Sequence, residues 1–183
     1  PMIVQATVDV FSKMQIFNTD IHAAYTAVSK MGIDVFGINC NVGPEEMVAT
    51  VEKLSRFCRH PISVVPNAGQ PISEDGQTCY KLSPEAMANT MEPFVREHGV
   101  AIVGGCCGTM PAHIKALREK LNGVTPATRK PDEKIYVSGP QEAVPIDGSK
   151  GLLRIGERLN VRGSKLVQEA VEHDGEISMQ VLE

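Results

Sequence analysis

The chain has 183 residues, 42% of them hydrophobic and 22% charged, with a net charge of −4 at pH 7; this is the make-up of a soluble globular protein with room for one ordinary domain or for pieces of two. The acidic balance and the lack of a basic patch give no reason to expect nucleic acid as a partner, and no run of about 18 apolar residues and no signal-peptide pattern is present, so neither a membrane span nor secretion is expected. The odd number of cysteines, five, fits reduced thiols better than a disulfide framework, which makes the cytoplasm the expected compartment.

In chain order, Pro1 stands where an initiator methionine would and an apolar run follows at once, so the sequence reads as beginning inside a larger protein. Residues 2–10 are apolar and β-rich, and Thr19-Asp20 then predicts the cap of a helix with Ile21, Ala24, Tyr25 and Val28 on one face, ended by Gly32. Residues 33–39 predict the next strand; Gly43-Pro44 opens a helix whose buried stripe would be Met47, Val48, Val51 and Leu54. A third strand over residues 62–66 is followed by a long loop, 67–82. Ser83-Pro84-Glu85 then starts an amphipathic helix with Met87, Met91, Phe94 and Val95, stopping at Gly99. The fourth strand is Val100-Ala101-Ile102-Val103, expected to be buried, and its helix carries Ile114, Leu117 and Leu121 up to Gly123. Strands alternating with helices at this spacing imply parallel βα units, because a parallel crossover needs a helix-length connection. Four such units fit half of a (β/α)8 barrel or a small open doubly wound sheet. Residues 125–150, with Pro126, Pro131, Pro140 and Pro145, lack sustained periodicity and read as an extended interdomain linker. Beyond it, Leu152-Leu153-Arg154-Ile155 begins as a strand and leads through a polar turn into a helical segment.

The chemistry-bearing stretch is Gly104-Gly105-Cys106-Cys107-Gly108-Thr109, two adjacent thiols among three glycines between a strand and a helix start. Adjacent strand residues point to opposite faces, so both thiolates reach one ion only where the backbone leaves regular geometry, and Gly104, Gly105 and Gly108 are expected to allow this through positive φ. Thr109 is expected to cap the helix and Pro111 to occupy its first turn. Cys40, closing another apolar run at another strand-to-helix junction, is the natural third donor. Three thiolates with one open position form the pattern of a catalytic rather than a structural zinc site.

The segments GINCNVGPEEM, VVPNAGQP and VGGCCGTMPAHI together resemble the zinc-dependent homocysteine S-methyltransferase domain, in particular that of cobalamin-dependent methionine synthases. The resemblance implies the barrel, as the C-terminal half of a (β/α)8 TIM barrel over residues 1–124, with Cys40, Asn67, Cys106 and Cys107 all at the C-terminal ends of strands. It also implies zinc held by Cys40, Cys106 and Cys107, homocysteine at the open position, and methyl transfer to its thiol. Cobalamin would carry the methyl group received from methyltetrahydrofolate. Gly156-Glu157-Arg158-Leu159-Asn160 is similar to the opening of the pterin-binding domain of the same enzymes, which makes residues 151–183 the first strand and helix of a second barrel, cut short. Leu159 and Arg162 depart from that pattern. The implied partners are therefore homocysteine and the cobalamin-binding and pterin-binding domains of one polypeptide, and the fragment alone is expected to be inactive.

Further assignments are weighed against plainer ones. Asn67 is a candidate oxygen donor to the fourth zinc position, Asp9 a candidate for the substrate amino group or a turn residue, and Asn160 a candidate for a pterin edge or a turn residue. Cys58 and Cys79 lack a ligand-like setting, His60 and His113 read as solvated or internally bonded, and Met47, Met87 and Met91 read as core. Related enzymes using methylated amines, betaines or sulfonium donors, and a zinc-binding fragment without activity, are the alternative readings.

Overall fold

Four short runs rich in β-branched and apolar residues lie side by side in a parallel sheet: β1 (Ile3–Ala6), β2 (Val35–Asn39), β3 (Ile62–Val65) and β4 (Val100–Val103). Each is followed by a helix, α1 (Ile21–Val28), α2 (Pro44–Phe57), α3 (Pro84–Arg96) and α4 (Pro111–Lys120). In this computed structural model residues 1–149, 151–153 and 164–174 are described. Two compact units are formed, Pro1–Asp147 and Gly148–Glu183.

Strand order in the sheet follows chain order, with Ile3 opposite Val35, Phe36 opposite Ile62 and Ile62 opposite Val100. A doubly wound sheet reverses direction at a switch point; this one does not, and the mixed α/β architecture with its four parallel strands is consistent with part of a barrel. The alternation along each strand sorts its residues. Phe36, Ile38, Ile62 and Val64 are buried in one cluster with Met47, Val51 and Leu54 of α2 and Met87, Met91 and Phe94 of α3. On the other face β2 has Gly37, whose missing side chain leaves room for Ser63, and Gln5 Nε2 donates to Ser63 Oγ at 2.9 Å.

The helix starts follow local chemistry. Asp20 accepts from the His22 N–H at 2.9 Å and Ser83 from the Ala86 N–H at 3.2 Å, while Pro44 and Pro84 sit where no N–H is needed. Some faces differ from expectation. Ala23, not Ala24, is buried on α1. Val48 is 36% exposed, and its place in the α2 stripe is taken by Thr50, whose Oγ1 is 2.7 Å from Ser12 Oγ. Strand β4 is not the buried strand expected: it forms an edge of the sheet, so Ile102 is 38% exposed. Ile114 likewise faces outward, and His113 and Leu117 make the inner face of α4.

The long loop 67–82 contains a small antiparallel hairpin, Ile72–Glu74 with Gln77–Cys79, turned at Asp75-Gly76. Within residues 125–150, read as an extended interdomain linker, an antiparallel ribbon pairs Tyr136–Ser138 with Ala143–Pro145. Hydrogen bonds hold it to the rest of its unit: Ser138 Oγ donates to Ala23 O at 2.9 Å, Thr19 Oγ1 to Pro140 O at 2.6 Å, and Asp20 N to Gln141 O at 2.8 Å. Of the second unit, α5 (Lys165–Asp174) supplies the helical segment expected after the polar turn. Of the expected strand opening, Leu152 and Leu153 are described and are not in a strand, while Arg154, Ile155 and Asn160 lie outside the described residues.

Candidate metal centre

The ends of β2, β3 and β4 build the site. Past Asn39, the chain turns through two consecutive non-glycine residues at positive φ, Cys40 at +59° and Asn41 at +67°. Left-handed backbone is costly outside glycine, although asparagine tolerates it, and here the Asn41 side chain secures the turn by donating to Val8 O at 3.0 Å. Past Val65, the Asn67 N–H donates to Val42 O at 3.0 Å. Past Val103, the Cys106 N–H donates to Pro66 O at 2.7 Å and Cys107 O accepts from the Ala68 N–H at 2.9 Å. Backbone bonds thus tie the two cysteine-bearing loops to the β3 loop between them.

The glycines act differently from expectation. Only Gly108 has a positive φ, +75°; Gly104 and Gly105 do not. Gly105 is needed for space, because a Cβ there would come within 2.3 Å of the Thr109 side chain. The left-handed residues that aim a sulfur are Cys40 and Asn41 instead. Thr109 does not cap α4. Its Oγ1 donates to Cys106 O at 2.5 Å, and the capping position just before the helix is held by Met110, whose N–H donates to His113 Nδ1 at 3.0 Å. His113 Nε2, which must then carry the proton, donates to Leu82 O at 2.9 Å. His113 is therefore internally satisfied, as its setting implied.

The three sulfurs converge. Cys40 Sγ is 3.6 Å from Cys107 Sγ, Cys106 Sγ is 3.9 Å from Cys107 Sγ, and all three lie within 4.8 Å of one another. These separations are far beyond the roughly 2.0 Å of a disulfide. They match the separation of about 3.8 Å between sulfurs in a tetrahedral shell with zinc–sulfur bonds near 2.3 Å. Crowding also governs protonation. Burial, and then the neighbouring Cys40 and Cys107 thiols, push the Cys106 thiol up to about 11. For Cys40, burial acts upward, but the Asn41 N–H and the thiols of Cys106 and Cys107 outweigh it and bring Cys40 below its ordinary value. Three thiolates in this space need a cation to offset their repulsion, and the donor set fits zinc.

Asn67 is 2% exposed, and its Oδ1 accepts from the Cys107 N–H at 3.2 Å. Asp9 lies in the loop after β1, where its Oδ1 accepts from the N–H groups of Phe11 at 2.9 Å and Lys13 at 3.0 Å, an Asx turn. Tyr80, which sequence reasoning did not single out, borders the thiols. Desolvation, then the charge on Cys107 and a hydrogen bond to the same side chain, push its hydroxyl above the ordinary tyrosine value. Cys58 and Cys79 stand apart from the cluster, and burial pushes Cys58 up to about 11.

Residues 1–121 match the model of the homocysteine S-methyltransferase family. The chain belongs to this family. It is also 38% identical over 171 residues to the methionine synthase of Mycobacterium tuberculosis (strain ATCC 25618 / H37Rv) and 37% identical over 176 residues to that of Mycobacterium leprae (strain TN). Both alignments take in 93% of this chain and extend beyond the region of the family model. The chain spans 14% of the length of each of these relatives. Among the described residues no helix is long and apolar enough to cross a membrane.

Proposed function

We propose that this chain carries the metal-binding half of a homocysteine S-methyltransferase barrel, acting within a cobalamin-dependent methionine synthase. The observation that carries the reading is the convergence of Cys40, Cys106 and Cys107 from two strand ends, at separations of 3.6 and 3.9 Å that suit one tetrahedral ion. Family membership and the mycobacterial relatives support the substrate, homocysteine, and the product, methionine.

When bound, zinc supplies a Lewis-acid charge that keeps its sulfur ligands, and a substrate thiol at the open position, as thiolates at neutral pH. The chain's own residues prepare that position. With three positions of a tetrahedral ion filled by cysteine sulfurs, the fourth is left for substrate. Asn67 holds the Cys107 backbone through one lone pair of Oδ1; its second lone pair remains for the fourth position before substrate arrives. Asp9 spends Oδ1 on its own loop, and Oδ2 is assigned to the substrate amino group. Cobalamin as methyl carrier, methyltetrahydrofolate as donor and a pterin contact by Asn160 belong to the whole polypeptide on this reading. So do the boundaries at residues 124 and 150 and the cytoplasmic location.

The reading is tested by metal analysis of the full-length protein with single Cys→Ala changes at positions 40, 106 and 107. Each should abolish stoichiometric zinc and methyl transfer together. A variant that retains both zinc content and affinity removes that cysteine from the ligand set.

A further inference from the structure

We propose that the cavity walled by α1, the end of α2 and residues 132–136 is a binding site for a small planar anion, a single aromatic ring carrying a carboxylate. The cavity shares no residue with the three-thiol centre. Arg59 and His60 lie just before β3, whereas the cysteines lie just past strand ends, so the two places belong to opposite ends of the strands. In a barrel that end is the one remote from the chemistry.

Size and wall chemistry define the first half of the ligand. The volume is about 160 Å³, close to that of a protein cavity of about 150 Å³ that takes one benzene. Rings line it. His22 stacks on Phe57 with centroids 3.9 Å apart and meets Tyr136 edge-on at 4.3 Å, while Tyr25 tilts against Phe57 at 5.6 Å. An aromatic ring placed among them gains stacking and edge contacts in addition to apolar burial.

Charge defines the second half. The walls carry Lys30, Arg59 and Lys134 against Asp132, and Asp147, 2.7 Å from Lys134, offsets one further cation. With the histidines neutral, a positive charge is left over on a chain whose net charge is −4. Lys30 has no ion pair among the described residues. The nearby hydroxyls spend their hydrogens elsewhere: Thr26 Oγ1 donates to His22 O at 2.8 Å, Ser29 Oγ to Thr26 O at 3.1 Å, and the Tyr136 hydroxyl to Asp132 Oδ2 at 2.8 Å. The donors left for a carboxylate are therefore the Lys30 ammonium and the Arg59 guanidinium. Among the described residues only Nη2 of that guanidinium is engaged, with the carbonyls of Asp132 and Lys134. Such charge-assisted bonds to a carboxylate are the strong ones.

The probe is 4-fluorobenzoate, observed by fluorine NMR in excess over the full-length protein, whose size widens the contrast between free and bound ligand. Its line should broaden with the protein and narrow again when unlabelled benzoate is added. Lys30→Glu should weaken binding about tenfold, as expected for loss of a hydrogen bond to a charged group. The same change should leave 4-fluorobenzyl alcohol, the uncharged counterpart, bound as before. Ser29→Leu, which extends a side chain into the cavity, should release both probes. Circular dichroism matching the parent's identifies folded variants, and Lys30→Met, which removes only the charge, gives the same readout where K30E disturbs the fold. A line that stays sharp with the parent protein overturns the proposal. Equal affinity of 4-fluorobenzoate for parent and S29L places its binding elsewhere and overturns it too, and equal affinity for parent and K30E overturns the anion.

Discussion

Cys58 and Cys106 both have thiols held up to about 11, for different reasons, and the difference separates an isolated thiol from one within a cluster. Cys106 is held up by burial together with two neighbouring sulfurs, a crowding that a cation reverses. Cys58 is held up by burial, against the opposing charge of Arg129, whose guanidinium bonds to Cys58 O and His60 O just past the end of α2. Among the described residues Cys58 belongs to no cluster of metal-ligating groups. A raised thiol holds its proton longer, so at pH 8 Cys58 carries roughly a hundredfold less thiolate than an unperturbed cysteine. Iodoacetamide should therefore modify Cys79, half-buried in its hairpin, while sparing Cys58, and labelling of Cys58 should appear only as pH rises toward 11. Peptide mass mapping of the native protein reads both sites at once. Equal labelling of Cys58 and Cys79 at pH 8 would contradict its buried, protonated state.

At the scale of elements, α4 depends on a contact across sequence. His113 joins its own helix start, through the Met110 N–H, to the end of the hairpin loop, through Leu82 O. Replacing it with leucine leaves a donor and an acceptor unpaired in a partly buried place, at a cost of about 1 kcal/mol. Amide hydrogen exchange should show faster exchange at Met110 and the first turn of α4 in H113L. Unchanged protection there would remove His113 from the capping role. The alternation of strands and helices, and the buried stripe of α3, were legible because each element's own residues decide them. Other features were not, because the deciding partner lies far along the chain. Thr50 looks polar and exposed until Ser12, 38 residues away, meets its hydroxyl. Val100-Ala101-Ile102-Val103 has the composition of a central strand, and only its neighbours make it an edge. The ribbon strands at 136–138 and 143–145 are too short for periodicity to register. Tyr80 was hidden in a loop without pattern, although the bare glycine after the paired cysteines marked the space it fills. The convergence of Cys40, Cys106 and Cys107 was legible because their surrounding segments place all three just past strand ends.

For the whole molecule, the helices bury one face of the sheet and leave the other partly open. Ile3 on β1 is 53% exposed and Ile102 on β4 is 38% exposed, each on a strand with one unpaired edge in the sheet. Open edges and exposed apolar side chains are features that proteins ordinarily cover. On the half-barrel reading further βα units cover them and complete the homocysteine pocket. The mycobacterial relatives, of whose length this chain spans 14%, supply room for such units and for the other domains. An open position beside three sulfurs is tested most directly by X-ray absorption at the zinc edge of the full-length protein. Without substrate, three sulfur neighbours near 2.3 Å and one oxygen or nitrogen at about 2.0–2.2 Å are expected, becoming four sulfurs when homocysteine is added. A first shell that stays the same at saturating homocysteine would contradict it.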